Sequence, residues 1–242
     1  MMIQYIGKCL LIEEGQREKK KEKVLVAGDI HLGFGGGKIG GIDIDKQLFD
    51  SVIVDFEKIF KKIGRADKIM LLGDLKHGFS GLGEGERYGL VNLFDYLDKK
   101  CGKIIAIKGN HDNYLMNITK RRGIRVCDFY IWNNYAFVHG DRDFPILYKN
   151  EVKVWVMGHL HPIISLKDGA KQENYKCFLE GGYRNKKIII LPSFIDVGGG
   201  FDIRNANIEN NLAWNFHLDR FIIKIVGEDD KVLDFGKLGN LL

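Results

Sequence analysis

Residues 152–162 read VKVWVMGHLHP, an apolar run that ends in two histidines separated by one residue. Side chains at positions i and i+2 of an extended segment point to the same side, so His159 and His161 can face a common cation. Taken alone, such a pair is more often a polar turn than a ligand set. Four other motifs, however, end apolar runs in the same manner. They are Asp29-Ile30-His31, Gly73-Asp74, Gly109-Asn110-His111-Asp112 and His139-Gly140.

The histidines of this chain are concentrated in those five motifs. The chain has seven histidines, and all but His77 and His217 belong to the motifs. If the five motifs were unrelated polar turns, they would not be expected to contain most of the histidines. We therefore predict that the five motifs build one metal site.

Composition predicts an ordinary globular protein. The chain has 242 residues, of which 45% are hydrophobic and 29% charged, and this fits a single domain over residues 1–242. Its four cysteines show no CxxC spacing, which favours reduced core residues over a zinc knuckle or a disulfide framework. The net charge of +5 permits an anionic partner without requiring one. No run is long and apolar enough for a membrane span and no signal peptide is recognisable, so we expect a cytoplasmic protein with no membrane partner.

The first half of the chain alternates between strands and helices, and each polar motif follows a strand. Open α/β sheets place their sites at the carboxyl ends of such strands. The predicted strands are 3–13, 23–29, 68–74 and 103–112, and the predicted helices are 43–63 and 84–99.

The second half consists of short β-like runs. This change predicts a four-layer α-β-β-α sandwich, in which two mixed β-sheets pack face to face with helices outside. The runs are 124–132, 135–138, 152–157, 163–167, 175–179, 187–191 and 221–226. We expect the glycine cluster 33–41 to be a flexible loop. The charged run 16–23 is expected to be a solvated hairpin loop, with phosphate contact as the alternative.

The ligand-type side chains combine oxygen and nitrogen donors without a thiolate. Such a set suits first-row transition metals, with Mn as the leading candidate and Fe, Zn, Ni and Co as alternatives, and it is too rich in nitrogen for calcium. Seven ligands are too many for one ion and suit two ions that share a carboxylate. Two ions about 3.5–4 Å apart form a clamp for phosphoryl transfer and supply a hydroxide nucleophile. The seven residues are Asp29, His31, Asp74, Asn110, His139, His159 and His161.

The motifs DxH, GD, GNHD, HG and GHxH, in this order, resemble the calcineurin-like metallophosphoesterase superfamily over residues 24 to about 200. The resemblance implies one metal held by Asp29, His31 and His161, a second held by Asn110, His139 and His159, and Asp74 as the bridge. It also implies that His111 is not a ligand. In the family this histidine contacts the phosphate and protonates the leaving oxygen, and Asp112 is expected to orient it.

The segment Gly73-Asp74-Leu75-Lys76-His77 is similar to a narrower group of ICC-like phosphoesterases, some of them encoded beside DNA ligase genes. Three other segments resemble that group, namely 86–88, 177–179 and 191–202. A histidine three residues after the bridging aspartate also resembles the Mre11-type nucleases, where it lies beside the scissile phosphate. The resemblance implies that His77 binds substrate, and the alternative is a surface histidine on a mobile loop.

These features predict a metal-dependent phosphoesterase. The His77 position favours phosphodiester bonds as its substrate, with nuclease action on DNA as one form of that activity. The alternative in the same class is a small-molecule phosphodiesterase or nucleotide phosphatase. A protein-binding scaffold that has lost its metals is a third hypothesis. The sequence opposes it, because no ligand is missing. No protein partner is indicated.

Overall fold

Two β-sheets organise the part of the chain that the structure, a computed structural model, describes: residues 2–15, 21–169, 171–205 and 212–241. The strands are β1 (Met2–Ile6), β2 (Cys9–Glu14), β3 (Glu22–Ala27), β4 (Lys38–Ile39), β5 (Ile42–Asp43), β6 (Ala66–Leu72), β7 (Cys101–Ile107), β8 (Arg125–Cys127), β9 (Phe129–Trp132), β10 (Tyr135–Val138), β11 (Val154–Met157), β12 (Pro162–Asp168), β13 (Lys171–Tyr183), β14 (Lys186–Ile190), β15 (Phe201–Asp202), β16 (Ile222–Val226) and β17 (Val232–Lys237). The α-helices are α1 (Ile44–Ile63), α2 (Glu84–Lys100) and the single turn α3 (Met116–Thr119).

The first sheet has the strand order β1-β2-β3-β6-β7-β8. Strand β2 is antiparallel to both β1 and β3, whereas β3, β6, β7 and β8 run parallel to one another. The parallel connections from β3 to β6 and from β6 to β7 contain α1 and α2, as crossover connections require. The carboxyl ends of β3, β6 and β7 therefore lie side by side at one edge.

The second sheet has the order β15-β12-β13-β14-β11-β10-β9, and β16 and β17 extend it from β13. Its centre is parallel, because β11 pairs in the same direction with both β10 and β14. The hairpins around this centre are antiparallel. Both sheets are therefore mixed, as predicted.

A dry core between the sheets holds them face to face. Alternate side chains of each strand enter it: in β3, Val24 and Val26 point to the other sheet, whereas Leu25 and Ala27 point to the helices. This is the period of two that strand geometry dictates. The other sheet contributes aromatic residues such as Phe137 to the same core.

The helices cover the outer face of the first sheet. Helix α1 begins after Asp43, whose carboxylate accepts a hydrogen bond from the backbone N–H of Lys46 at 3.0 Å. It ends at Gly64, where φ is 70°. The buried side chains of α1 recur at helical spacing and pack on the sheet, among them Phe56 and Ile59.

Short 3-10 segments cover the outer face of the second sheet, where the sandwich prediction expected α-helices. Their buried side chains, such as Leu147, Phe216 and Leu238, join the core on that side. The reason is the connectivity. Half of the neighbouring strand pairs in this sheet are hairpins, and the connection from β10 to β11 contains only the four-residue 3-10 segment Pro145–Tyr148. The α/β class and the two packed sheets are confirmed, and the layering differs in this detail.

Three sequence predictions about single elements need correction. The strand expected over 3–13 is two strands, because Gly7 takes a φ of 53° and starts a two-residue turn. The strand expected over 124–132 is split between the two sheets as β8 and β9. The expected loop 33–41 includes β4 and leads into the small β4-β5 hairpin.

Two further observations concern the surface. Strands β2 and β3 form a hairpin, but residues 16–20 of the predicted charged loop lie outside the described residues. Among the helices that the structure describes, none combines the length and the apolar character of a membrane span.

Candidate metal centre

The predicted ligands lie at five strand ends that face one another across the sandwich. Strands β3, β6 and β7 of the first sheet are followed by Asp29 and His31, by Asp74, and by Asn110. Strands β10 and β11 of the second sheet are followed by His139 and by the pair His159 and His161. Because carboxyl ends of parallel neighbours meet at one edge, each sheet delivers its ligands to the same place. The structure brings all seven predicted ligands together.

The first ligand group consists of Asp29, His31 and His161, whose ligand atoms all lie within 4.8 Å of one another. The Nε2 atom of His161 is 3.2 Å from Asp29 Oδ1 and 3.3 Å from His31 Nε2. Asp29 is completely buried, and His31 is 6% exposed. The group has the composition that the family resemblance implied for one metal.

The second ligand group centres on His139. Its Nε2 atom lies 3.0 Å from Asn110 Oδ1, 3.0 Å from His159 Nδ1 and 3.4 Å from Asp74 Oδ2. These atoms come from both sheets. The group has the composition predicted for the other metal.

Asp74 lies between the two groups. Its Oδ2 atom is 3.4 Å from His139 Nε2 in the second group and 3.8 Å from His31 Nε2 in the first. The carboxylate is 2% exposed, so few water molecules compete for that oxygen. One oxygen atom of Asp74 thus faces both ligand groups.

The donor chemistry around His139 fits a divalent transition metal. The Nδ1–H of this ring donates to the carbonyl oxygen of Leu72 at 2.7 Å, so Nε2 can present a lone pair to a metal ion that displaces its proton. That lone pair converges with lone pairs of Asn110 and Asp74. Four electron-rich atoms of mixed N and O type around one point, counting His159 Nδ1, make a site for a transition metal.

The two buried carboxylates and their histidines perturb one another's pKa values. Burial alone would raise the pKa of the Asp29 carboxyl, but the His161 and His139 imidazoles hold it below its usual value. Burial would also raise the pKa of the Asp74 carboxyl, but a hydrogen bond with His139 outweighs the effect of burial and lowers that pKa. The pKa of His139 is raised to about 9, because the carboxylates outweigh its burial. Burial lowers the pKa of His31 to about 4. Two persistent negative charges at this depth favour a cation.

The backbone turns sharply at most of the ligands. Positive φ angles occur at Asp29 (57°), His31 (47°), Asp74 (48°), His159 (69°) and His161 (48°). Non-glycine residues rarely take this conformation, and each costs on the order of 1–3 kcal/mol. Backbone hydrogen bonds oppose that cost: the N–H of Asp29 donates to the Gly73 carbonyl at 3.0 Å. These strained turns end the strands and direct the side chains that follow them toward the other candidate ligands.

Two glycines are needed because the strand ends approach so closely. A Cβ atom at Gly109 would lie 2.2 Å from Asp74 Oδ1, and one at Gly158 would lie 2.3 Å from Asp29 Oδ2. The N–H of His159, next to Gly158, donates to the Asp29 carboxylate at 3.0 Å and so ties the two sheets together. The glycines of the GNHD and GHxH motifs therefore provide room for a carboxylate.

His111 lies beside the ligand groups, and a carbonyl group orients its ring. Its Nδ1 atom is hydrogen-bonded to the carbonyl oxygen of His77, and its Nε2 atom lies 3.8 Å from Asp74 Oδ2. The expectation that Asp112 orients His111 is wrong. The Asp112 carboxylate instead accepts backbone hydrogen bonds from Gly109 and Leu75, at 2.9 Å each, and so fixes two strand ends relative to each other. Burial raises the pKa of this carboxyl to about 6.

His77 borders the first ligand group. Ligand atoms of His31, His77 and His111 also lie within 4.8 Å of one another, so the structure brings His77 to the predicted site. Burial and the neighbouring His111 lower the pKa of His77 and so favour the neutral imidazole.

Sequence reasoning missed two supports of the site. The buried Lys76 ammonium donates to the Gly78 carbonyl, and the Glu86 carboxylate accepts the N–H of Gly78 at 2.6 Å. On the other side, the N–H of Phe194 donates to the Asp29 carbonyl oxygen at 3.1 Å. The apolar run 187–191 followed by Pro192 was a usable signal for a further strand end at this edge.

The family model of the calcineurin-like phosphoesterases matches residues 22–146, which is more than half of the chain. The protein belongs to the calcineurin-like phosphoesterase family. The superfamily resemblance and the enzyme class, a metal-dependent phosphoesterase, are thereby confirmed. The narrower resemblance to ICC-like enzymes stays a prediction.

Among solved structures, the chain is similar to the nuclease MPE of Pseudomonas putida, with 15% identity, a TM-score of 0.58, and coverage of 93% of this chain and 100% of that one. This likeness concerns the fold. The chain also matches wild-type Vps29 of Entamoeba histolytica complexed with zinc, with 14% identity, a TM-score of 0.40, and coverage of 88% and 99%. No curated protein matches the chain in sequence.

Proposed function

We propose that this protein is a two-metal phosphodiesterase that hydrolyses phosphodiester bonds of nucleic acid, with DNA as the leading substrate. The observation that carries the proposal is the position of Asp74 Oδ2, which faces both ligand groups at 3.4 and 3.8 Å. The nuclease named among the similar folds is compatible with this substrate class.

Asp29, His31 and His161 would hold one ion, Asn110, His139 and His159 the other, and Asp74 both. The two ions, with manganese as the leading candidate, would polarise the phosphate and provide a hydroxide nucleophile near neutral pH. Around them, the buried carboxylates keep their charge because their pKa values are lowered. The chain itself thus supplies a fixed, negatively charged cradle.

Hydrolysis adds water to phosphorus and breaks the P–O bond to the leaving group, whose oxygen then takes a proton. His111 is placed to give that proton. Its Nδ1 position is engaged by the His77 carbonyl, so its Nε2 atom faces the ligand groups. A general acid contributes typically about 10²–10⁴-fold to rate, and most for poor leaving groups such as sugar alkoxides.

His77 completes the substrate site in this proposal. Its ring stacks on that of His111 with centroids 5.7 Å apart and an angle of 21° between the planes. From this position a neutral imidazole N–H donates to a non-bridging phosphate oxygen.

The proposal also includes a cytoplasmic location. All four cysteines are free thiols, which is the state that a reducing compartment maintains.

The test is an activity panel with the manganese-loaded protein. The substrates are bis(p-nitrophenyl) phosphate, p-nitrophenyl phosphate, cyclic nucleotides, and single- and double-stranded DNA. We expect hydrolysis of the diesters and of DNA, with little activity on the monoester. Asp74→Asn should lose metal from both sites and most of the activity, as measured by metal analysis and initial rates.

Two results would contradict the proposal. Preferential hydrolysis of the monoester would support a nucleotide phosphatase instead. Retention of two tightly held metals by Asp74→Asn would remove the bridging assignment.

A further inference from the structure

Four aromatic rings form a row beside the ligand groups, and two of them have no part in the chemistry above. The row runs Phe34, His77, His111, Phe79. Phe34 lies 4.6 Å from His77, and Phe79 lies 3.8 Å from His111, both measured between ring centroids. Phe79 is 60% exposed and Phe34 is 36% exposed. We call these four rings the aromatic row.

Exposure of a single phenylalanine is common and carries no conclusion by itself. The position of Phe79 is more informative. One face of its ring covers the imidazole of His111 at an angle of 32°, and the side chain is otherwise largely open to solvent. An open aromatic face next to a phosphodiester site is the kind of surface on which proteins stack single-stranded bases.

The loop that carries Phe79 is held in place. The Glu86 carboxylate accepts the N–H groups of Gly78 at 2.6 Å and Gly83 at 2.8 Å, one on each side of Phe79. Lys76 is completely buried, and its ammonium lies 3.9 Å from the same carboxylate. The side-chain amide of Asn113 donates to the Phe79 carbonyl oxygen at 3.2 Å. The ring is therefore presented in a fixed position, which lowers the entropic cost of stacking a ligand on it.

The geometry also indicates which part of the substrate Phe79 would meet. His111 Nε2 faces the ligand groups and protonates the leaving oxygen in the proposed function. The substituent on that oxygen lies on the His111 side of the phosphate, and Phe79 is the ring next to His111 on that side.

We propose that Phe79 stacks on the base of the leaving nucleoside and makes the enzyme select substrates with an unpaired base at that position. The proposal rests on the proposed function and specifies its substrate. A base can stack on Phe79 only when it is free of its pairing partner. Single-stranded segments and frayed ends are therefore the expected substrates.

The experiment compares matched dinucleotides with the manganese-loaded protein. One substrate is thymidylyl-thymidine, and two analogues carry an abasic tetrahydrofuran in place of the first or the second nucleoside. We expect Phe79→Ala to raise KM about 10- to 100-fold for substrates with a base on the leaving side, since base stacking on an aromatic side chain is worth about that much. The kcat on these substrates, and both constants on the analogue without that base, should stay within about twofold. Phe79→Trp should keep the low KM.

A second readout does not depend on turnover. In a stopped-flow experiment with excess protein, 2-aminopurine at the leaving position should lose fluorescence on binding to the wild type and to Phe79→Trp. Phe79→Ala should show little of this quenching. Phe235→Ala, which removes a 37% exposed phenylalanine on β17, is the matched control and should behave as the wild type.

Three outcomes would overturn the inference, and they are distinguishable. Equal losses of kcat on base-containing and abasic substrates would make Phe79 a support of the His111 ring only. Unchanged constants in Phe79→Ala would exclude contact with the base. If the protein hydrolyses methyl p-nitrophenyl phosphate but does not prefer dinucleotides with a base on the leaving side, stacking is rejected and the phosphodiesterase proposal stands. If it hydrolyses neither that ester nor the dinucleotides, the proposed function itself is rejected.

Discussion

At the scale of single residues, the proton donor that we propose, His111, is separate from the candidate metal ligands. Asn110 and His111 are adjacent in sequence, yet the Asn110 oxygen faces His139 and the His111 ring is turned to the His77 carbonyl. The two neighbouring side chains therefore have different hydrogen-bond partners.

We predict that His111→Asn keeps both metals and loses far more activity on natural diesters than on activated nitrophenyl esters. The reason is that a sugar alkoxide needs a proton to leave, whereas a nitrophenolate needs it much less. On natural diesters the loss should be about 10²–10⁴-fold, measured as kcat, with metal content measured in parallel. His217→Asn, on the exposed surface, is the control. Loss of metal would make His111 a ligand, and equal losses on both ester types would leave it without a proton to give.

Gly109 provides the second prediction at this scale. Gly109→Ala should abolish metal binding at both sites, because its Cβ would lie 2.2 Å from the Asp74 oxygen and 2.4 Å from the Asp74 backbone nitrogen. Metal analysis and the thermal midpoint would both report the change. Gly227→Ala is the matched control, since the nearest atom to its Cβ is the Lys231 carbonyl oxygen at 3.6 Å. Full metal content in Gly109→Ala would show that the strand ends can separate without cost.

The clustering of the candidate ligands could be predicted from the sequence, whereas the contacts that support them could not. Each ligand ends an apolar run, and such runs are visible as patterns. The partner of His111 is a backbone carbonyl, which every residue possesses, so no pattern identifies it. Asp112 looked like that partner because it follows His111 directly, but its carboxylate satisfies the N–H groups of Gly109 and Leu75 instead.

At the scale of elements, the segment after β14 stabilises the end of β3. Its Phe194 N–H donates to the carbonyl oxygens of Gly28 and Asp29, at 3.0 and 3.1 Å. The Lys176 ammonium of β13 holds the same segment, since it donates to the Ser193 carbonyl at 3.0 Å and to its hydroxyl at 2.5 Å. Burial, followed by the repulsion from Lys8, lowers the pKa of Lys176 to about 8.

We predict that Lys176 makes the protein more stable as the pH rises from about 8 toward 10.5. Its pKa is about 8 in the folded state against an ordinary value of 10.5, so in that window the unfolded chain binds more protons. The shift corresponds to at most about 3–4 kcal/mol, at about 1.4 kcal/mol per pKa unit. Urea unfolding at several pH values should show this slope as the difference between the wild type and Lys176→Met. Parallel pH profiles for the two proteins would contradict the assignment.

Elements with strong periodicity were predicted well. Helices α1 and α2 and strands β3 and β6 lie within about two residues of their predicted bounds, whereas β7 ends five residues before the end of the predicted strand 103–112. The predictions failed where a strand boundary depends on a single glycine or on which of the two sheets a segment joins. Gly7 divides one apolar run into two strands, and the run 124–132 divides because its halves join different sheets. Strand β17 has too little buried surface to produce an alternating pattern.

At the scale of the whole molecule, the metals would join the two sheets. The first sheet supplies Asp29, His31, Asp74 and Asn110, and the second supplies the other three ligands. Unfolding has to separate these ligands, so the ions bind the folded chain far better than the unfolded one. The single-domain assignment stays a prediction and agrees with this arrangement.

We predict that metal loading raises the thermal midpoint by about 10–20 °C. At a free metal concentration one hundred times Kd, each site adds about 2.7 kcal/mol, and a chain of this size gains about 2–4 °C per kcal/mol. Calorimetry of the chelated and the manganese-loaded protein measures the shift. Asp74→Asn should show little of it. An equal shift in that variant would place the metals elsewhere.

The distribution of the ligands over both sheets has a consequence for how the protein is made. Neither ligand group is complete in the first half of the chain: one needs His161, and the other needs His139 and His159. A chain growing on the ribosome therefore presents Asp29, His31 and Asp74 long before their partners emerge. With the proposed ligands, full-affinity metal binding would require that the second sheet has been synthesised and has docked, so the ions would be acquired only after the chain has folded.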